Sequence, residues 1–273
     1  MSEPRKALPP AVNAKQRQQM GRYLYRIHDD ATADANTGAW LKLQQQGIHA
    51  QCEQSFLHEL QCYREIQALS QAKAYSILLD FEIIDPDQYF VIDPTQGFYP
   101  QGLRIIDSAA LFATAPLHLD HVLQVFFQSL RVVEQLHDLG YLHADLKTAH
   151  FRQVKQGCYL IDFEQAVRIE QAATQNITAT PRYMAPELFH GQAKSIQSEI
   201  YALGVIWSAW LGQPRVQPVD YLAWAKWHCQ DFEVQLDACY ADLVPILSGM
   251  LSKHCSSRYG HIREIKQALT RFL

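Results

Sequence analysis

The sequence predicts an α+β fold in two lobes, a β-rich lobe with one helix followed by an α-rich lobe. Three observations carry this expectation. The chain has 273 residues, more than one ordinary hydrophobic core accommodates. Its first hundred residues hold short alternating runs around a single helical pattern, and the remainder holds long apolar stripes at helical spacing. The boundaries expected from these patterns are a mobile N-terminal arm over residues 1–12, an N-lobe over 13–93 and a C-lobe over 94–273.

The elements follow in order. The arm is rich in Pro and charge. Tyr23 to Ile27 alternates as a strand, Asn36-Thr37-Gly38 marks a turn, and Ala39 to Leu43 reads as the returning strand. A helix is expected from about Glu53 to Leu69, with Phe56, Leu57, Leu60, Tyr63, Ile66 and Leu69 at helical spacing. Ser76 to Ile84 and Gln88 to Ile92 are further strand candidates, and the connection between lobes is expected near Asp93 to Gly102. Leu119 to Leu139 carries Val122, Phe126, Leu130, Val133 and Leu136 on one stripe, with Asp120 as the expected N-cap and Gly140 closing the helix. A hairpin is expected around Gln156-Gly157. Glu199 to Leu211 is apolar on nearly every face and reads as buried, and helices are expected over Tyr240 to Leu251 and His261 to Leu273.

Composition excludes several classes of function. The net charge of -4 and the scattered Lys and Arg give no footprint for nucleic acid or an anionic membrane. The longest apolar run, Ala202 to Leu211, is too short for a membrane span. The N-terminus has no secretory h-region, so the sequon at Asn176 carries no weight. None of the six cysteines forms C-x-x-C, and their scatter suits a reducing, cytoplasmic setting. None of the twelve histidines falls into H-E-x-x-H.

The chemistry concentrates in Tyr141 to Phe151, Y-L-H-A-D-L-K-T-A-H-F, and in Leu160 to Glu164, L-I-D-F-E. Asp145 and Lys147 sit on a loop after a long amphipathic helix, and Asp162 follows the short hairpin. Phosphoryl transfer requires such a set: a carboxylate to accept a hydroxyl proton, a cation near the moving phosphate, and a carboxylate to hold a metal.

At these residues the chain resembles the eukaryotic-type protein kinases. Thr180-Pro181-Arg182-Tyr183-Met184-Ala185-Pro186-Glu187 is similar, residue for residue, to the end of the family's activation segment, and Ile200 to Val205 to the buried helix that follows. The resemblance implies a protein kinase-like fold with ATP and Mg2+ or Mn2+ as cofactors. It implies Asp145 as the catalytic Asp, Lys147 as the contact to the transferring phosphate, and Asp162 as the metal-binding Asp. Lys42, in a strand similar to V-A-I-K, would hold the α- and β-phosphates, paired with Glu59 or with its rival Glu65; Glu59 fits the distance from the strand better. Ile92 and Asp93 would begin the hinge that receives adenine. Thr180 would bond near Asp145, a feature of Ser/Thr specificity, and Arg258 would pair with Glu187.

The pattern breaks in five places. No G-x-G-x-x-G loop precedes Lys42. Ala144 replaces the Arg that pairs with a phosphorylated activation loop, which argues against switching at Thr174 or Thr178. His150 replaces the metal-binding Asn, and imidazole suits Mn2+ or Zn2+ better than Mg2+. Glu164 replaces the Gly after Asp-Phe and offers a substitute oxygen ligand. Glu199 replaces the Asp that braces the catalytic loop. Three functions follow from this balance: a kinase of protein Ser or Thr, a pseudokinase serving as a binding or regulatory module for a protein partner, and a kinase of small molecules or glycans. The platform Thr180 to Glu187 favours a protein substrate.

Overall fold

The computed structural model describes residues 6–7, 20–28, 38–91, 97–174, 179–212, 218–230 and 233–273. The chain divides into two compact units, residues 1–67 with 78–108, and residues 68–77 with 109–273. Class and content follow the α+β expectation.

In the first unit, β1 (Lys6–Ala7) pairs in parallel with a later two-residue strand. β2 (Arg22–His28) and β3 (Gly38–Gln44) pair antiparallel along their full length, with Tyr23 opposite Leu43 and Leu24 opposite Lys42. Period-two alternation turns Leu41 and Leu43 inward to full burial beside Tyr25, and leaves Lys42 on the other face. Helix α1 (Ala50–Lys73) follows, longer at both ends than expected; Glu53 accepts from the Ile48 and His49 amides and closes its first turn. Its Phe56, Leu60, Tyr63 and Ile66 are buried, and Tyr63 meets Phe81 at 4.6 Å between ring centres.

The expected strand Ser76 to Ile84 narrows to β4 (Phe81–Ile84). The expected strand Gln88 to Ile92 becomes a turn of helix, α2 (Pro86–Tyr89), and then β5 (Phe90–Val91). The Asp85 carboxylate accepts from the Asp87 amide and Pro86 presets the first φ, so this stretch begins as helix. Strand β6 (Gly102–Ile106) was not expected. It lies between β3 and β4, giving the sheet order β2-β3-β6-β4. Gly102 permits its close approach, since a Cβ there would meet Leu43 at 2.6 Å. Gly102 therefore opens a strand of the first sheet, and the chain leaves the first compact unit at Ser108/Ala109.

The second unit opens with β7 (Ala109–Ala110). Helix α3 (Leu119–Asp138) buries Val122, Phe126, Leu130, Val133 and Leu136 as its stripe predicts. Its cap is His118, whose imidazole accepts from the His121 amide; Asp120 lies within the first turn and is not the N-cap. Gly140, at φ +82°, ends the helix as expected. β8 (Tyr141–Leu142) pairs antiparallel with the later β11, and β9 (Phe151–Val154) forms a hairpin with β10 (Gly157–Leu160), with β7 on the other edge of β9. β11 (Val167–Arg168) closes the short ladders.

After α4 (Pro186–Phe189), helix α5 (Ile196–Trp210) is buried on nearly every face, and Trp207 stacks on Phe126 of α3. Ser195 and Ser198 form its capping box. α6 (Tyr221–Cys229) was not expected, for Tyr221 and Leu222 are exposed and no apolar stripe marks it. The helix expected over Tyr240 to Leu251 is a 3-10 turn over Ala238–Leu243 and then α7 (Val244–Met250), because Pro245 cannot donate within a longer helix. α8 (Ile262–Leu269) buries Ile262, Ile265 and Leu269. Among the described residues, no helix is long and apolar enough to cross a membrane.

Candidate active site

The first unit contributes one ion pair. Strand β3 presents Lys42, and its ammonium meets the Glu59 carboxylate on α1 at 2.7 Å. Glu59 is fully buried, and the Lys42 side chain is 14% exposed. The rival Glu65 instead accepts from Gln61, one turn back on the same helix. Ile92 and Asp93 lie outside the described residues.

The second unit holds the rest of the candidate set. Past β8 the chain turns through His143, fully buried, with Nε2 at 3.0 Å from the Ile161 carbonyl. Burial, and then the neighbouring His150, push its imidazole down to about 4, so it is neutral and donates to that carbonyl. Ala144 follows at φ +67°, a left-handed conformation unusual for a residue with a Cβ. Its amide donates to Glu199 Oε1 at 2.6 Å, and Glu199 Oε2 lies 2.7 Å from His137 Nε2 on α3. Burial works to raise the Glu199 carboxyl, but His137, His143 and the Ala144 amide together hold it below the usual carboxylate range. The extra methylene of Glu thus lets one carboxylate brace both the loop and α3.

Asp145 is positioned by its neighbours. Its Oδ1 accepts from the Thr180 amide at 2.9 Å and the Thr180 hydroxyl at 2.8 Å. Its Oδ2 faces the Lys147 ammonium at 3.2 Å. With one oxygen held and the other beside a cation, the carboxylate is oriented rather than free to rotate. Beneath it a cavity of about 20 Å3, room for about one water, is lined by Ala144, Asp145, Thr180, Lys194 and Glu199 among others. Burial holds the Lys194 ammonium below its usual range, opposed by Asp145 and Glu199.

His150 and Asp162 come together. His150 Nε2 lies 2.9 Å from Asp162 Oδ2, with the imidazole buried and the carboxylate one-third exposed. Asp162 adopts φ +68°, and carboxylate oxygens of Asp162 and Glu164 lie within 4.8 Å of each other. Glu187 and Arg258 form a buried two-point pair at 2.7 and 3.0 Å. Arg258 also donates to the carbonyls of Gln197 and Ser252, and its guanidinium lies over the Tyr201 ring.

The structure therefore brings together Lys42 with Glu59, Asp145 with Lys147 and Thr180, Asp162 with His150, and Glu187 with Arg258. Sequence reasoning missed His137 and Lys194. His137 meets Glu199 and Lys194 senses Asp145 from tens of positions away, so no local pattern in the sequence marks either.

The Protein kinase domain family model matches residues 39–270. The chain belongs to the protein kinase family. It is 28% identical over 159 residues to the serine/threonine-protein kinase NLK2 of Xenopus laevis, a match covering 55% of this chain and 35% of that one. It is 27% identical over 156 residues to mitogen-activated protein kinase 14 of the same organism, covering 56% and 42%. The chain thus spans well under two thirds of these curated relatives. The solved structure of the Cydia pomonella granulovirus kinase PK-1 has the same fold, with a TM-score of 0.62 at 13% identity over 91% of this chain and 89% of that one. ATP and a divalent metal are general requirements of the protein kinase family.

Proposed function

We propose that the chain is an active kinase that moves the γ-phosphoryl group of ATP to a Ser or Thr hydroxyl of a protein. The observation that carries this reading is Asp145, held by two Thr180 donors on one oxygen and faced by Lys147 on the other. A carboxylate so fixed accepts the proton of an incoming hydroxyl, and Lys147 steadies charge on the transferring phosphate. Lys42, oriented by Glu59, holds the α- and β-phosphates.

The donor set fits a divalent cation. Asp162 and His150 place an oxygen and a nitrogen 2.9 Å apart, a spacing suited to two ligands of one ion, and Glu164 adds a further carboxylate nearby. When bound, the ion neutralises charge on the β- and γ-phosphates. A nitrogen donor among oxygens favours Mn2+ over Mg2+. The platform at Thr180 to Glu187 supports a protein substrate, and Thr180 supports Ser/Thr specificity.

A pseudokinase is the second reading, favoured by the same His150–Asp162 contact, since an imidazole bonded to that carboxylate competes with a metal. The test is transfer of labelled γ-phosphate to a generic protein acceptor with either metal, followed by identification of the labelled amino acid. Label on Ser or Thr that Asp145→Asn abolishes supports the kinase. Equal labelling by wild type and variant, or none by either, removes it.

A further inference from the structure

β4 and β6 are antiparallel neighbours, and a two-residue hairpin could join them. The chain instead runs through residues 85–101. The end of this excursion bonds to two elements at once. Tyr99 N donates to the Gln44 carbonyl at 2.8 Å, Gln46 N donates to the Gly97 carbonyl at 2.8 Å, and Phe98 bridges Gln45. These contacts fix residues 97–99 to the end of β3, the strand that carries Lys42. The Phe98 ring packs edge-on against Tyr23 of β2, 5.2 Å between centres.

From that anchorage two side-chain contacts reach α1, the helix that carries Glu59. The Tyr99 hydroxyl donates to Glu53 Oε2 at 2.9 Å, while Glu53 Oε1 takes the amides that open the helix. Arg64 on α1 donates to Gln101 at 3.0 Å. The bond to Glu53, then burial, raises the Tyr99 hydroxyl above its ordinary range, so it remains a donor at neutral pH. The contacts lie on either side of Glu59, one at the first turn and one beyond it. Apolar packing of Phe56, Leu60 and Tyr63 holds α1 on the sheet but is non-directional. Directional bonds are what set its rotation and axial position.

We propose that residues 97–101 are a strap that fixes α1 in the register in which Glu59 meets Lys42, with Tyr99 as the positioning residue. The strap ties the strand of one partner to the helix of the other, so the pair is assembled without a second protein or a modification. This rests on the reading that Lys42 and Glu59 position ATP.

The test uses the full chain and Tyr99→Phe, which removes only the hydroxyl. Two measurements are made: amide hydrogen exchange, and ATP affinity with Mn2+ by calorimetry. The variant is expected to exchange about tenfold faster over residues 50–60 without ATP, the scale of one hydrogen bond to a charged group, with β3 and β6 unchanged. It is expected to weaken ATP about tenfold in the wild-type background and not at all in Glu59→Gln, where there is no carboxylate left to position. Glu53→Gln, which keeps one acceptor oxygen where the wild type uses two, should speed exchange over residues 50–60 as well. Unchanged exchange over α1 overturns the strap, and so does an equal loss of ATP affinity in both backgrounds. If the wild type binds no ATP, the kinase reading fails, and the exchange measurement alone still decides whether the strap holds α1.

Discussion

Ala144 and Glu199 both depart from the family pattern, and they meet in one hydrogen bond from the loop backbone. A loop residue with a Cβ at φ +67° is strained, and the 2.6 Å bond from its amide to a buried carboxylate is what holds it there. Removing that carboxylate strands both the amide and His137, so Glu199→Ala should cost about 3–5 kcal/mol in urea unfolding. Two groups in this cluster make stability fall in acid. Glu199 has a depressed folded value, so its contribution is present above its unfolded value and disappears as pH falls through the folded one. His143 is neutral in the fold down to about 4, whereas the unfolded chain takes up the proton below the ordinary histidine value near 6.5. Between those values the unfolded state binds one more proton, so stability drops by about 1.4 kcal/mol per pH unit from this group alone. Denaturant titrations of wild type and His143→Phe across pH 4.5–6.5 should show a slope shallower by about that amount in the variant. The motif residues were legible because they are contiguous and each type has one obvious use. His137 was not, because its partner lies far along the chain and only the packing of α3 on α5 joins them.

At the scale of elements, α4 and the loop before α8 are pinned by one buried pair. Arg258 gives Glu187 two bonds and donates to two carbonyls. Arg258→Met keeps the length of the chain and leaves a buried carboxylate uncompensated, for an expected loss of about 3–5 kcal/mol. Arg258→Met with Glu187→Met should recover most of it, and chemical denaturation of the pair distinguishes lost charge from lost packing. The long stripes of α3 and the apolar run of α5 were readable because their periodicity is internal to the element. β6 was not, since Gly102 and Arg104 break its pattern and its identity as a strand comes from β3 and β4 on either side. α6 was missed for the opposite reason, a helix too exposed to carry a stripe.

For the whole molecule, the fold was legible in the sequence, while the use of His150 beside Asp162 was not. Imidazole at His150 can stand as a ligand beside Asp162 or as a bond that occupies it, and the 2.9 Å contact serves either. His150→Asn restores an oxygen donor, so calorimetry of ATP with Mg2+ should show affinity rising relative to wild type, with a smaller change in Mn2+. ATP at about a hundred times its dissociation constant should stabilise the wild-type chain by about 2.7 kcal/mol with the preferred metal. The most direct test of the central claim is single-turnover transfer from γ-labelled ATP in Mn2+, comparing wild type with Asp145→Asn at equal nucleotide occupancy. A fall of at least about a hundredfold, the usual worth of a positioned general base, with ATP affinity unchanged, is the result expected. Transfer at the same rate in both proteins, or bound ATP with no transfer in the wild type, would contradict the assignment of Asp145.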